Sequence, residues 1–481
     1  MLAAGLVRSF RRRAFFPKKE WYQRPSRTLP LALASLALGY QYYLWTKRQP
    51  QTDSAISELS LRFKSEPQKV VTASEVLERY AQNGSHSGRV PRAVLFPTTH
   101  EDTEQMVKMC YRYKVPFLPY GRGNSVRGGN VLSKSGVVLN LSQLKRVKVE
   151  PGNLSCVAEA GATISELNAQ LEPLGLWIPF EEYTDWTVGG LAAINAASQY
   201  SQYERFGGHV MSLHVVLPSG KSVKTKNRNQ YGRAGYNLNE VFVGSEGTLG
   251  VITKLALKLQ KRPTKIAYRA KLGISLQEAT QEAQRMHQSG SLAEEIELLP
   301  NGTANLYISL EEAAGRTLAG WVWSSPGKMH NLPATHSAFA SIGVPLPRLD
   351  QTLTDSLRIL QQSTLPYQLR CTPSRGEILV ELPNPSQDPI FHDQAEQLLI
   401  MLADRAILKE GSCAVNHGVG ADLMKLLESD VGANSVALQR QLKSSFDPYG
   451  LCNPGKVLPG METPGSFVGL LYMKMKQFWL E

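Results

Sequence analysis

The sequence predicts an α+β protein in which helices and short strands alternate around three glycine-rich segments. From about residue 65 onward, helix-like and strand-like stretches follow one another with turn residues between them. The first glycine-rich segment, residues 115–130, precedes an apolar run that is typical of a strand. Its spacing, G-x-G-x-x-V, lacks the third glycine of a dinucleotide fingerprint, which argues against a βαβ nicotinamide site. Taken alone, such a segment fits a plain loop as well as an anion-binding one.

The length and composition are those of a globular protein. The 481 residues are enough for two or three domains, and 42% apolar with 20% charged residues excludes wholesale disorder. Most of the net charge of +12 is local, because residues 1–48 hold ten basic side chains and one acidic side chain. The basic excess therefore does not indicate a nucleic-acid partner. Five scattered cysteines without a C-x-x-C pair favour neither a disulfide framework nor a zinc site.

The N-terminus predicts a targeting segment followed by a membrane anchor. Residues 1–27 are rich in arginine and almost free of acids, as in a mitochondrial presequence. Residues 28–48 contain the uncharged run LPLALASLALGYQYYLW, long enough for a short membrane-spanning helix with aromatic residues at one interface. A signal-type or buried helix is the alternative. Basic residues before the run favour the matrix for that end, and Lys47 and Arg48 after it weaken this inference.

Local signals predict the first elements of the globular part. In TTHEDTEQMVKMCYRYK, Thr98 or Thr99 stands before acidic residues, which predicts the N-terminus of a helix. Strands are predicted at residues 137–141, 147–149 and 155–159, and a second helix lies in ATISELNAQLEPLGLWIP.

Two further segments are rich in glycine and alanine. TVGGLAAINAASQYSQYERFG, residues 187–207, has so little side-chain bulk that it fits tight packing against another helix or a place beneath a flat cofactor. GYNLNEVFVGSEGTLGVITKLALKL, residues 235–259, sets three glycines around Glu246 and ends in a strand-like alternation.

These segments, the second helix and the motif LCNPGKVLPG follow one another in an order that resembles the FAD-binding family of the vanillyl-alcohol-oxidase fold. Within it the sequence is most similar to D-lactate and D-2-hydroxy-acid dehydrogenases and glycolate oxidase flavin subunits. The resemblance covers about residues 90–460. It implies an FAD domain of two subdomains at 65–261, a shortened α+β cap at 262–403 and a flavin-side segment at 404–464. The tail at 465–481 is apolar and basic, and fits a frayed end or a docking segment.

The resemblance also implies a non-covalent FAD, because relatives that attach flavin covalently use a histidine in the glycine loop and residues 115–130 contain none. The first glycine-rich segment would hold the pyrophosphate, the second would run along the flavin, and the third would line the dinucleotide pocket. Asn453 would lie near the isoalloxazine. The implied cofactor-binding residues are Pro119, Gly121, Gly123, Asn124, Ser125, Gly128, Gly129, Asn130, Thr187, Gly189, Gly190, Asn195, Glu246, Gly247, Gly250, Ile252 and Asn453.

The metal site of the D-2-hydroxy-acid branch is missing from this sequence. The two histidines of the family's H-x-G-D-G-N-x-H segment fall on Thr372 and Leu379, and the glutamate of the third motif is Asn416. Since these side chains do not make a divalent-metal site of the family's type, we predict no metal.

His417 is retained, and the resemblance implies that it is the base that takes the proton of the substrate hydroxyl. A buried histidine paired with backbone is the alternative. Without a metal, the carboxylate of a 2-hydroxy acid needs a guanidinium, for which Arg375 and Arg348 of the cap are the candidates, with Arg370 nearby. A solvated surface arginine is the alternative at each position.

Two functions remain from this pattern. The first is a flavoenzyme of the mitochondrial inner membrane, anchored by its N-terminal helix, that passes electrons from a small 2-hydroxy acid to cytochrome c or quinone. The second is a catalytically silent, flavin-binding structural subunit of a larger respiratory-chain assembly. The missing metal set favours the second function, and His417 favours the first. We expect an oxidoreductase with no nucleic-acid partner.

Overall fold

The computed structural model of the protein describes residues 51–83, 86–198, 200, 202–226, 234–263, 266–289, 295–299, 303–311, 322–323, 338–384 and 389–460. The predicted presequence, the candidate membrane-spanning helix and the C-terminal tail lie outside these ranges. Among the helices within them, none is both long and apolar enough to cross a membrane.

The N-terminal lobe is built on a four-stranded sheet in the order β1-β4-β6-β5, beside the hairpin β2-β3. Strands β4, β5 and β6 run parallel, and β1 is antiparallel to β4. The helix predicted after Thr98 or Thr99 begins with a capping box between Thr99 and Asp102, which confirms the predicted N-terminus. The elements are β1 Val70–Val71, α1 Ser74–Glu78, β2 Gln82–Asn83, β3 His86–Ser87, β4 Ala93–Leu95, α2 His100–Tyr113, β5 Phe117–Tyr120 and β6 Val137–Asn140.

The second lobe contains a five-stranded antiparallel sheet in the order β11-β10-β12-β8-β7 and the pair β13-β9. The helix predicted from its 3.6-residue period begins after Thr163, whose hydroxyl accepts from the backbone N–H of Glu166. The elements are β7 Val147–Glu150, β8 Ser155–Glu159, α3 Ile164–Leu171, β9 Leu176–Trp177, α4 Val188–Ile194, α5 Phe206–His209, β10 Val210–Val216, β11 Ser222–Lys224, α6 Asn239–Phe242, β12 Val251–Lys258 and β13 Gln260–Lys261.

The cap is a seven-stranded antiparallel sheet in the order β17-β14-β16-β15-β19-β20-β18, with helices packed on it. The mixture of strands and helices expected for this part is present. The elements are β14 Ile266–Ser275, α7 Leu276–Gln288, β15 Glu295–Leu298, β16 Thr303–Glu311, β17 Val322–Trp323, β18 Ala338–Gly343, α8 Leu349–Gln362, β19 Gln368–Thr372, β20 Glu377–Leu382 and α9 Pro389–Ile407.

Two apolar cores underlie the lobes and the cap. The larger core joins both lobes, and the smaller core lies between the cap sheet and its helices. After α10 Leu427–Val431 and α11 Ala433–Phe446, the chain returns to the larger core. There Phe117 donates its N–H to the carbonyl of Leu451 over 2.8 Å and accepts at its carbonyl from the N–H of Asn453, also over 2.8 Å. The C-terminal segment therefore lies beside the strand that enters the first glycine-rich segment.

Candidate active site

The first glycine-rich segment is a loop whose shape requires glycine at particular positions. Gly123 has a φ of +81°, and a Cβ there would lie 2.0 Å from the Tyr120 hydroxyl oxygen. The amide of Asn130 donates to the carbonyl of Gly123 over 2.6 Å, and Asn130 in turn accepts from the amide of Asn83 over 3.0 Å. Side chains thus fix the loop, which leaves backbone groups available to a ligand.

The second segment forms the short helix α4. Thr187 caps it, because its hydroxyl accepts from the N–H of Gly190 over 3.1 Å. A Cβ on Gly189 would lie 2.7 Å from the Cβ of Ala160, so the helix packs closely on the end of β8. The two alternatives of tight packing and a place beneath a flat ligand are therefore compatible, because α4 packs on Ala160 through Gly189 and also lines the cleft.

The third segment places Glu246 between the two lobes and the C-terminal segment. Its N–H donates to the carbonyl of Ala193 over 2.8 Å. Its carboxylate accepts from the N–H groups of Val419 and Gly420 over 2.6 and 2.9 Å. Burial raises the pKa of this carboxyl to about 7, and the two backbone N–H groups oppose the shift.

These three segments line a single cleft. Glycine backbone forms one part of its wall, and the apolar side chains of Leu141, Ala160, Ile194 and Ile252 form another. This combination suits a ligand with a polyanionic part and a flat ring. The sequence-predicted cofactor residues that line the cleft are Pro119, Gly121, Gly123, Asn124, Ser125, Gly129, Asn130, Thr187, Gly189, Gly190, Glu246, Gly247, Gly250 and Ile252.

Three sequence-predicted cofactor residues lie behind the wall of the cleft. Gly128 packs against the His86 ring, and Asn195 ends helix α4, where its side chain accepts from the N–H of Gly207 over 2.9 Å. Asn453 was expected near the isoalloxazine, but its amide donates to the carbonyls of Gly129 and Glu246 over 3.2 and 3.0 Å. These residues support the cleft, and Asn453 ties two of its segments together.

His417 lies in a box of aromatic rings close to the cleft. Its ring centroid is 6.5, 6.2 and 5.2 Å from those of Tyr183, Trp186 and Phe339. Trp186 also lines the cleft, so one ring separates His417 from it. Its Nδ1 is buried without a hydrogen-bond partner among the described residues. Burial lowers the pKa of His417 to about 4, which keeps the imidazole neutral at physiological pH.

The position of His417 depends on the residue that replaces the family's glutamate. The amide of Asn416 donates to the Tyr183 hydroxyl over 3.0 Å and accepts from the backbone N–H of His417, also over 3.0 Å. His417 itself has a φ of +66°, a left-handed conformation that a residue other than glycine adopts at a cost. Asn416 therefore holds the segment in its strained conformation.

The two predicted catalytic arginines are not placed for binding a substrate carboxylate. Arg375 donates to the carboxylate of Glu377 over 3.2 Å, to Thr372 over 3.3 Å and to the backbone carbonyl of Ser198. Its guanidinium thus joins the cap to the second lobe. Arg348 is exposed at the start of helix α8 and lies outside the set of cleft-lining residues.

The positions of the family's metal ligands are used for other contacts. Thr372 accepts from Arg375, and Leu379 lies on β20 opposite Ser341 of β18 and Arg370 of β19. In the described part of the chain, no cluster of three histidine, cysteine, aspartate or glutamate side chains has the geometry to hold a metal. The expectation of a metal-free site stays a prediction.

Arg127 is the site residue that the sequence analysis missed. It is 3% exposed, and its guanidinium carbon lies 4.5 Å from the ring centroid of Phe339, which also contacts His417. Its Nε and Nη2 are buried without a hydrogen-bond partner in the described part of the chain. The first segment carries two arginines among its glycines, Arg122 and Arg127, and its sequence does not show which of them is buried.

Comparisons with known proteins agree with this architecture. Residues 91–226 match the family of the FAD binding domain, and residues 378–457 match the C-terminal domain of FAD linked oxidases. The chain is 28% identical to "D-lactate dehydrogenase [cytochrome], mitochondrial" of Arabidopsis thaliana, over 79% of this chain and 77% of that protein. It is also 28% identical to "Probable D-lactate dehydrogenase, mitochondrial" of Danio rerio, over 82% and 90%.

Solved structures share the fold at low sequence identity. The crystal structure of p-cresol methylhydroxylase with substrate bound matches with a TM-score of 0.70 at 16% identity. The match covers 85% of this chain and 97% of that one. An alkyldihydroxyacetonephosphate synthase matches with a TM-score of 0.64 at 17% identity, over 82% and 85%. These likenesses establish the mixed α+β fold.

Proposed function

From a chain that carries the FAD binding domain and the C-terminal domain of FAD linked oxidases, we propose an FAD-dependent oxidoreductase that oxidises a small D-2-hydroxy acid without a metal. The observation that carries the proposal is His417, a neutral buried imidazole with an unpartnered nitrogen beside the cleft. The names of the two dehydrogenase relatives support the substrate class.

FAD is the cofactor, and the cleft is where we place it. The backbone of Gly121, Gly123 and Gly129 would hold the pyrophosphate, and the small residues of helix α4 would leave room for the flavin ring. No histidine occurs among the described residues that line the cleft, which supports non-covalent binding. When bound, FAD supplies the acceptor for the two electrons that leave the substrate.

His417 would take the proton of the substrate hydroxyl. A base must be unprotonated before it can act, and the pKa of about 4 leaves nearly every His417 neutral between pH 6 and pH 8. The same low pKa makes the imidazole a weaker base while the three aromatic rings enclose it. Approach of a polar substrate would reduce the burial that lowers the pKa and would strengthen the base.

A second function is favoured by the packing around His417. Tyr183, Trp186 and Phe339 are each less than 5% exposed and surround the imidazole. His417 is not among the residues that line the cleft, so at least one ring must move before a substrate reaches it. The alternative is therefore a catalytically silent, flavin-binding subunit of a mitochondrial inner-membrane assembly.

The electron acceptor and the location are further proposals. The names of both relatives include the mitochondrion, and one of them includes the cytochrome acceptor. We place this protein at the mitochondrial inner membrane, anchored by residues 28–48, with cytochrome c or quinone as acceptor. The near-neutral globular part supports the expectation of no nucleic-acid partner.

An anaerobic titration of the flavin absorbance tests the enzymatic proposal. Purified protein is mixed with D-lactate, glycolate and D-2-hydroxyglutarate in turn, in the presence of a chelator. Bleaching by one acid is the expected result. A flavin that none of them bleaches would favour the silent subunit, and protein without bound flavin would contradict the cofactor assignment as well.

A further inference from the structure

A second cavity, which we call the cap-side cavity, lies between the first glycine-rich segment, strand β18 and helix α9. It is separate from the flavin cleft, with which it shares no lining residue. Its wall includes Val126, Arg127, Phe339, Leu399, Ile400 and Leu423. The wall thus combines an arginine and apolar side chains with three other titratable residues, His86, Asp422 and Glu396.

Two N–H groups on one edge of the Arg127 guanidinium lack hydrogen-bond partners among the described residues. Nε and Nη2 carry these groups and point them in the same direction. Two parallel N–H donors on one edge match the two oxygens of a carboxylate. An arginine that is 3% exposed and lacks these bonds is therefore shaped for a small anion.

The acidic groups around Arg127 do not fill this edge. Asp422 contacts His86 through both oxygens, at 2.9 and 3.1 Å from Nε2. Glu246 accepts from two backbone N–H groups. Both carboxylates attract the guanidinium at longer range, and neither forms a hydrogen bond with Nε or Nη2. Burial lowers the pKa of Arg127, and the charges of Asp422 and Glu246 oppose this shift. No group in the described part of the chain forms a hydrogen bond with this edge.

The rest of the wall limits the class of anion. Phe339, Leu399, Ile400 and Leu423 offer apolar surface for a short hydrocarbon chain. Asp422 and Glu396 also lie on the wall, and their negative charge disfavours a second carboxylate on the ligand. A monocarboxylate with a branched or unbranched alkyl chain fits both conditions.

We propose that the cap-side cavity is a binding site for a monocarboxylate with a short apolar chain, whose carboxylate is held by the Nε–Nη2 edge of Arg127. This site goes beyond the proposed function, because carboxylate binding here does not require turnover at the flavin. Two ligands share this chemistry: a 2-hydroxy acid that will be oxidised near His417, and an acid that binds without reacting.

Isothermal titration calorimetry of the FAD-loaded protein with 4-methylpentanoate tests the site, with 4-methylpentanamide as the neutral probe. We expect binding of the acid only. Arg127→Met should weaken it by about 100-fold, and Arg127→Lys by about tenfold, because lysine keeps the charge and loses the fork. Arg358→Met is the matched control, since Arg358 is an exposed cap arginine on helix α8, and it should bind as the wild type does.

Equal binding by the wild type and Arg127→Met, or no binding by the wild type, would overturn the proposal. Flavin content and melting temperature of each variant show whether it has folded, and Arg127→Lys keeps the test valid if Arg127→Met has not. Succinate should bind at least tenfold more weakly than 4-methylpentanoate. Tighter binding of succinate would overturn the assignment to monocarboxylates.

A parallel titration of flavin bleaching with D-2-hydroxy-4-methylpentanoate separates the two kinds of ligand. If Arg127→Met raises the half-saturating concentration about 100-fold, the site holds the substrate. If bleaching is unchanged while 4-methylpentanoate binding is lost, the site holds a non-reacting effector. Binding without any bleaching would retain the site and contradict the oxidoreductase proposal, so the two failures can be told apart.

Discussion

At the scale of single residues, the burial of the His417 side chain determines both the protonation state of its imidazole and the way folding stability depends on pH. The same loss of water that keeps its imidazole neutral makes protonation costly in the folded state. Because its folded pKa of about 4 lies below the usual 6.5, the unfolded chain binds a proton more readily between these values. This residue therefore lowers stability as the pH falls from 6.5 toward 4.

Replacing His417 by glutamine should remove this part of the acid sensitivity. From the pKa shift, His417 should cost the wild type about 2 kcal/mol of unfolding free energy at pH 5 relative to pH 8. Urea unfolding of both proteins at the two pH values measures the difference. Glu246, whose pKa is raised to about 7, shifts stability in the opposite direction, and it is present in both proteins, so its contribution cancels. An equal loss in both proteins would contradict the burial argument.

Gly123 should be intolerant of even the smallest side chain. Gly123→Ala adds a Cβ 2.0 Å from the Tyr120 hydroxyl in a left-handed conformation, so it should cost roughly 2 kcal/mol and lower the flavin content. Gly152→Ala is the matched control, because its Cβ would meet no atom within 4 Å. The melting temperature and the ratio of flavin to protein absorbance report both effects. Normal flavin content in Gly123→Ala would show that the loop does not shape the cofactor site.

At the scale of elements, the C-terminal segment positions the glycine-rich segments of the cleft. Asn453 lies beside β5 and donates to the carbonyls of Gly129 and Glu246, which belong to different lobes. A single side chain thus fixes the spacing of two walls. Since its own φ is +43°, a glycine at this position removes the amide without adding backbone strain.

Asn453→Gly should therefore weaken FAD binding by separating these walls. We expect a loss of about 1–3 kcal/mol in stability and a higher dissociation constant for FAD, measured by fluorescence of the released flavin. Asn237→Gly is the control, since the exposed side chain of Asn237 donates to Glu240 of the same surface turn and does not line the cleft. Retention of FAD by Asn453→Gly at the wild-type affinity would assign Asn453 no part in shaping the cleft.

At the scale of the whole molecule, what the sequence could predict follows the range of each interaction. The caps at Thr99 and Thr163 are local signals, and the helices after them start where the sequence indicates. Glycine-rich segments likewise identify the cleft, because each needs its glycines for its own backbone. The bonds of Asn453 with Gly129 and of Arg375 with Ser198 join residues far apart in the chain, and no pattern within either segment encodes the partner.

The arginines differ in the same way. Arg375 and Arg348 belong to the cap, and Arg375 lies within the segment that replaces the metal motif, so the sequence favours them as carboxylate ligands. The structure uses Arg375 to join the cap to the second lobe and leaves Arg348 exposed. Arg127, in the other domain, reaches the space beside Phe339 only through tertiary packing. Residues of one site can come from segments that the sequence gives no reason to pair.

The rate of anaerobic flavin reduction, followed by stopped-flow absorbance, tests the central claim most directly. Chelator-treated wild type and His417→Gln are each mixed with the acid that bleaches the flavin best. We expect reduction of the wild type without added metal, and a rate about 100- to 10,000-fold lower in His417→Gln with its flavin content unchanged. A wild-type flavin that no acid reduces, or equal rates in the two proteins, would contradict the account of His417 as the base.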